Sequence, residues 1–121
     1  MNLRYFKISE FDSPDAPGSG TNMQPGTLEM LDKARGIAGI PFKINSGYRT
    51  EAHNKKVGGK PKSAHTTGHA ADIHCNNSMD RLKIIGALIE AKFNRIGISF
   101  KGGFIHVDNS PNLPQNVMFL Y

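Results

Sequence analysis

Cys75 is the one cysteine in 121 residues. That excludes an internal disulfide and any zinc site built from several thiolates. A single cysteine beside a strand-like run is read as a small core residue. Long apolar runs are missing too. The longest, "IIGALIEAKF" (residues 84–93), is interrupted by Glu90 and Lys92, too short and too charged to span a bilayer. The first residues, "MNLRYFKISEFDSPDAPG", carry charges every few positions and no apolar segment. The expectation is therefore a chain without a signal peptide, made in the cytoplasm. Repeats and low-complexity tracts are also lacking.

Acidic residues are in the minority: 10 against 15 Lys and Arg, a net charge of +5. Such a balance suits anionic partners such as cell-wall polymers, an acidic membrane face or nucleic acid. The densest basic stretch, "HNKKVGGKPK" (53–62), has no aromatic residue interleaved. That argues against single-strand nucleic-acid binding, and the stretch reads first as a solvated loop. A single domain over 1–121 is expected, large enough for one core, and a monomer is the default.

What is present is punctuated by turns. "DSPDAPGSG" follows the short apolar start "RYFKISEF". Residues 26–39 read as a helix with Leu28, Leu31 and Ala34 on one face, opened near Pro25 and Thr27 and closed by Gly39 and Pro41. "FKINSGY" alternates as a strand, and "TEAHNKKV" gives one or two helical turns capped by Thr50. "HAADIHC" alternates with Ala70, Asp72 and His74 on one face and Ala71, Ile73 and Cys75 on the other. Ser78 is expected to cap the helix "MDRLKIIGALIEAKF", with Leu82, Ile85, Leu88, Ile89 and Phe93 as its apolar stripe. "RIGISF" and "FIHVD" form a hairpin across "KGG", and "NVMFLY" is a last strand or a docked end. The order predicts an α+β fold, a small antiparallel sheet with flanking helices.

Three of the five histidines and an aspartate fall within "SAHTTGHAADIH", residues 63–74. Zinc takes imidazole and carboxylate ligands, about four in all, with one position left for water at a catalytic site. His65 in the loop and Asp72 in the strand are candidate ligands. "TTGHAA" is a poor helix interior, so the two must meet through a bend, which Gly68 suits. His106 in "FIHVD" is the third candidate. It shares a strand face with Phe104 and Asp108, and the three ligands converge if that strand lies beside "HAADIH". Against this stands a plainer reading: solvated loop histidines at 65 and 69, and Asp72 paired with a lysine. His74 is expected to pack or face solvent, not to bind metal.

"SGYRT", "HNKKVGG", "SAHTTGHAADI" and "FIHVD", in this order, resemble the D-Ala-D-Ala carboxypeptidase-like zinc peptidases. The shared pattern is S-x-H-x-x-G-x-A-x-D with a later H-x-D, and "YFKISEFDSPDAPGSGTNM" resembles the phage and prophage branch. The resemblance spans about Tyr5 to Asp108. It implies a hedgehog/DD-peptidase-type fold, one Zn²⁺ on His65, Asp72 and His106, and hydrolysis of peptidoglycan stem or cross-link peptides as a D,D-carboxypeptidase or endopeptidase. It also implies that Ser46 and Arg49 lie near the site. Arg49 either binds a substrate carboxylate or carbonyl, since a guanidinium fork matches carboxylate geometry, or makes a structural ion pair. Several relatives carry a general base three residues before the last histidine. Here that residue is Gly103, which cannot act. Asp108 is the replacement candidate, with holding an imidazole by hydrogen bond as its alternative role. Glu51 is a weaker option, and His69 is not expected to be a ligand. The resemblance implies peptidoglycan peptides as partners; the basic charge adds anionic wall polymers, not nucleic acid, and the expected lack of a signal peptide fits either holin-type release of a phage-type lysin or a cytosolic precursor-trimming peptidase. The alternative to an enzyme is a non-catalytic, zinc-stabilised wall-binding domain.

Overall fold

The computed structural model describes residues 1–121. Two short 3₁₀ segments, Ile8–Phe11 and Ser19–Asn22, precede helix α1, Pro25–Ala38. Then follow strand β1, Ile44–Ser46; helix α2, Glu51–Lys56; strand β2, Ala70–His74; and helix α3, Ser78–Glu90. Strands β3 (Arg95–Ser99), β4 (Phe104–Asp108) and β5 (Val117–Leu120) complete the chain. Proline at the start of α1 suits a position whose N–H has no helical partner, and Gly39 ends the helix at φ +70°. The Thr50 hydroxyl accepts from the His53 N–H at 3.1 Å, capping α2 as expected.

The five strands lie in the order β1-β2-β4-β3-β5. The first three pairings are antiparallel, but β3 and β5 run parallel. The sheet is therefore mixed, a correction to the antiparallel expectation. Direction is not written in a strand's own pattern: the connection 109–116 returns the chain to the start of β3, so β5 runs alongside it. The β3–β4 hairpin forms across residues 100–103, with Arg95 opposite Asp108 and Ser99 opposite Phe104.

The residues of β2 and β4 that alternate away from the histidines are the core. Ala71, Ile73, Ile105 and Val107 are each at most 1% exposed. They join Ile96 of β3, Leu28, Leu31 and Ala34 of α1, and Ile84, Ala87 and Leu88 of α3 in one apolar cluster. Phe6 and Phe11 of the opening segment also pack there, edge to face with ring centroids 5.2 Å apart. Leu88 and Phe93 of the expected α3 stripe are buried and Ile85 packs partly against the core, but the other two members do neither. Leu82 and Ile89 are exposed, and the buried stripe is Ile84, Ala87, Leu88 and Ala91. Two alanines complete this stripe beside Ile84 and Leu88, and a search for large apolar side chains passes over them. The cap also moves by one residue: the Asn77 side chain accepts from the Asp80 N–H at 2.9 Å. No helix is long and apolar enough to cross a membrane.

Candidate metal centre

The face of the sheet turned away from α1 and α3 carries Asp72 and His106. Pairing of β2 with β4 sets Asp72 directly opposite His106. His65 arrives from the loop before β2. That loop is bent at Gly68, whose φ is +77° and whose position would bring a Cβ within 2.3 Å of the Asn22 carbonyl oxygen. Only glycine fits there on both counts. The bend is held by the Gln24 N–H donating to the Gly68 carbonyl at 2.9 Å.

Asp72 Oδ1 lies 3.3 Å from His65 Nε2 and 3.0 Å from His106 Nδ1. One donor atom from each of the three residues lies within 4.8 Å of the others. Tetrahedral zinc with nitrogen and oxygen ligands at about 2.0–2.1 Å spaces them about 3.3 Å apart, so the donor set fits that ion. The remaining imidazole nitrogens are engaged. His65 Nδ1–H donates to the Gly47 carbonyl at 2.7 Å, and His106 Nε2–H to Asp108 Oδ2 at 2.6 Å. Such bonds fix which nitrogen is free to ligate. All three ligand candidates are buried, at 3–7% exposure.

Electrostatics point the same way. Burial alone would raise the Asp72 pKa, but hydrogen bonds with His106 and His65 outweigh it and hold the carboxyl well below its usual range. Burial would lower His106, yet its bonds to Asp108 and Asp72 raise it. Without a metal, the His106 imidazole thus lies between two carboxylates that favour its charged form. A divalent cation among the same atoms replaces that positive charge.

Asp108 is fully buried. Its Oδ1 accepts from Arg95 Nε at 2.9 Å and from the Ser110 N–H at 3.1 Å, while Oδ2 serves His106. Burial raises its pKa, and the His106 bond more than reverses this. Of its two roles, these are the contacts of a residue that holds an imidazole. Arg95 also donates to the Pro114 carbonyl at 2.6 Å.

Arg49 lies on the β1 side. Its Nε donates to Ser46 Oγ at 3.1 Å, one terminal nitrogen to Asn54 Oδ1 at 3.2 Å, and the other lies 3.5 Å from Asp72 Oδ2. The ion pair of Asp72 is therefore with Arg49, not with a lysine. Ser46 is turned to Arg49. Glu51 is exposed at the start of α2, His74 is exposed, and His69 bonds the Thr67 hydroxyl at 2.8 Å outside the cluster. Gly103 occupies the β3–β4 turn.

Three residues here were not anticipated. Buried Asn54 holds Arg49 while donating to the Lys60 carbonyl at 2.8 Å. Arg95 was legible in principle, since counting back from the hairpin turn pairs it with Asp108. Tyr121 had no signal of its own. Its ring centroid lies 6.4 Å from that of His106. Partial desolvation by the groups packed around its ring, and then the Asp72 charge, push its phenol up to about 12, although most of the residue stays exposed.

A family model described as Peptidase M15 matches residues 4–108. No curated protein matches the chain.

Proposed function

Since the chain belongs to the peptidase M15 family of zinc-dependent metallopeptidases, we propose that it hydrolyses the stem or cross-link peptides of bacterial peptidoglycan. The observation that carries this reading is a cluster of three donor atoms, from His65, Asp72 and His106, that lie within 4.8 Å of one another. Three protein ligands leave a fourth position for solvent or substrate, the pattern of a catalytic rather than a structural zinc site.

A bound Zn²⁺ supplies Lewis acidity and makes water a competent nucleophile near neutral pH. The chain's own residues do the rest. The Gly47 carbonyl and Asp108 aim His65 Nε2 and His106 Nδ1 at a common point. Arg49 neutralises the outer oxygen of Asp72, leaving the inner oxygen to the metal. With Ser46 and Asn54 fixing its fork, Arg49 also offers a positive charge beside the cluster for a substrate carbonyl or carboxylate. Asp108 we assign to holding His106 rather than to proton transfer: both its oxygens are engaged and solvent does not reach it.

The net charge of +5 supports attraction to anionic wall polymers. Action on the wall after holin-type release, as for a phage-type lysin, belongs to the same proposal. Digestion of defined muropeptides by the zinc-loaded chain, with products read by mass spectrometry, tests it. A new amino terminus within a stem or cross-link, lost on chelation, is expected and also tells carboxypeptidase from endopeptidase. Buried Asp108 and side-chain-less Gly103 favour a second reading, a zinc-stabilised wall-binding domain. Zinc retained at one equivalent with intact muropeptides would select it.

A further inference from the structure

One register row crosses the whole sheet: Ser46, Asp72, His106, Gly97 and Phe119 are successive cross-strand neighbours from β1 to β5. The row holds no side chain at Gly97. A Cβ there would lie 2.4 Å from the Phe119 ring. The vacancy lets Phe119 lie across β3 toward His106, with centroids 5.8 Å apart. Tyr121 is two residues further, so the pleat returns it to the same face. Its ring lies 5.7 Å from that of Phe119 and 5.2 Å from that of Phe104, spacings of favourable tilted aromatic pairs. Its backbone N–H donates to the Ile98 carbonyl at 3.1 Å. The residue is thus held at both backbone and ring, yet remains 67% exposed. A tyrosine so fixed adds little to the core. It stands beside the metal cluster, on the side opposite Arg49.

From this juxtaposition we infer that Tyr121 is a substrate-contacting residue, whose phenol donates a hydrogen bond to the carbonyl oxygen of the peptide bond lying over the cluster. The inference rests on the peptidase reading above. A tyrosine hydroxyl is a neutral donor throughout the working pH range. A donor aimed where charge builds on a carbonyl oxygen acts chiefly on turnover. Phe104 and Phe119 fix the ring, and Gly97 gives Phe119 its place. Residues 117–121 lie outside the segment matched by the family model.

The test is Tyr121→Phe, which keeps every ring contact and removes only the hydroxyl. In the zinc-loaded chain, kcat on a defined muropeptide should fall about 100- to 1000-fold, while KM changes little. Zinc content and melting temperature should match the wild type. Tyr121→Leu should raise KM as well. A second readout needs no metal. The chain has no tryptophan and three tyrosines, so its emission is tyrosine emission. Muropeptide added to the metal-free wild type should change that emission, and Tyr121→Phe should abolish the change. Unaltered kcat in Tyr121→Phe overturns the inference, as does emission that ignores the peptide or responds equally in both proteins. Wild type that cuts while Tyr121→Phe cuts equally well sinks this inference alone. Wild type that cuts nothing sinks the peptidase reading and this inference with it.

Discussion

At the centre of β2 and β4 both faces are buried, and they are held in opposite ways. On one face Ala71, Ile73, Ile105 and Val107 meet helices through apolar contact. On the other, Asp72, His106 and Asp108 are 7%, 7% and 0% exposed, and every buried side-chain polar atom has a partner. The apolar face is non-directional, so it tolerates reshaping and loses stability in proportion to the surface it gives up. The polar face is directional: removing one partner strands another in a low dielectric. Burial by itself therefore says nothing of role. The partner set does.

The strongest way to break the polar face is to remove a ligand. His65→Ala, Asp72→Ala or His106→Ala should each abolish stoichiometric zinc and hydrolysis. Each should also erase the rise in melting temperature that zinc gives the wild type, worth about 4 kcal/mol at a thousandfold excess over Kd. Elemental analysis and paired melts with and without chelator check this. Undiminished hydrolysis in all three would reject the metal mechanism. Breaking the apolar face should look different. Ile73→Ala should cost about 2–5 kcal/mol in denaturant melts while the chain still binds one zinc.

Asp108→Asn sharpens the contrast within the polar face. Zinc affinity should weaken about 10- to 100-fold, and turnover per bound zinc should stay near wild type. Intact affinity with lost turnover would restore Asp108 as the base. In the metal-free chain the polar face should also be pH-sensitive. Asp72 is lowered from 3.8, so its contribution is present above that value and fades as pH falls through the folded pKa. His106 is raised from 6.5, so its contribution is full below 6.5 and fades as pH rises through the folded pKa. Melting temperature measured without zinc should therefore peak between these limits, and a peak above neutrality would contradict the assignment. The smallest effect belongs to neither face: Leu82→Gln, on the exposed side of α3, should change stability by less than about 0.5 kcal/mol.

Much of this was legible because strand periodicity is local. Alternation in "HAADIHC" and "FIHVD" assigns Asp72, His106 and Asp108 to one face and the aliphatics to the other. The "KGG" turn fixes the hairpin register. In the α3 stripe Leu88 and Phe93 were read correctly, but Leu82 and Ile89 were weighted for their size over Ala87 and Ala91, and docking against α1 and the sheet chose the alanines. Tyr121 was invisible because its meaning depends on a glycine 24 positions earlier in the chain.

The sequence by itself determined which residues share a strand face and where the chain bends, and it offered His65, Asp72 and His106 as candidates to grip a divalent cation. The tertiary structure alone decided which nitrogen of each imidazole is free, that Asp108 spends its oxygens on His106 and Arg95, that Arg49 pairs with Asp72, and that β5 returns parallel to bring two aromatic rings beside the cluster. The division follows from range. Backbone stereochemistry fixes periodicity within a few residues, whereas the meeting of particular atoms depends on how distant segments pack.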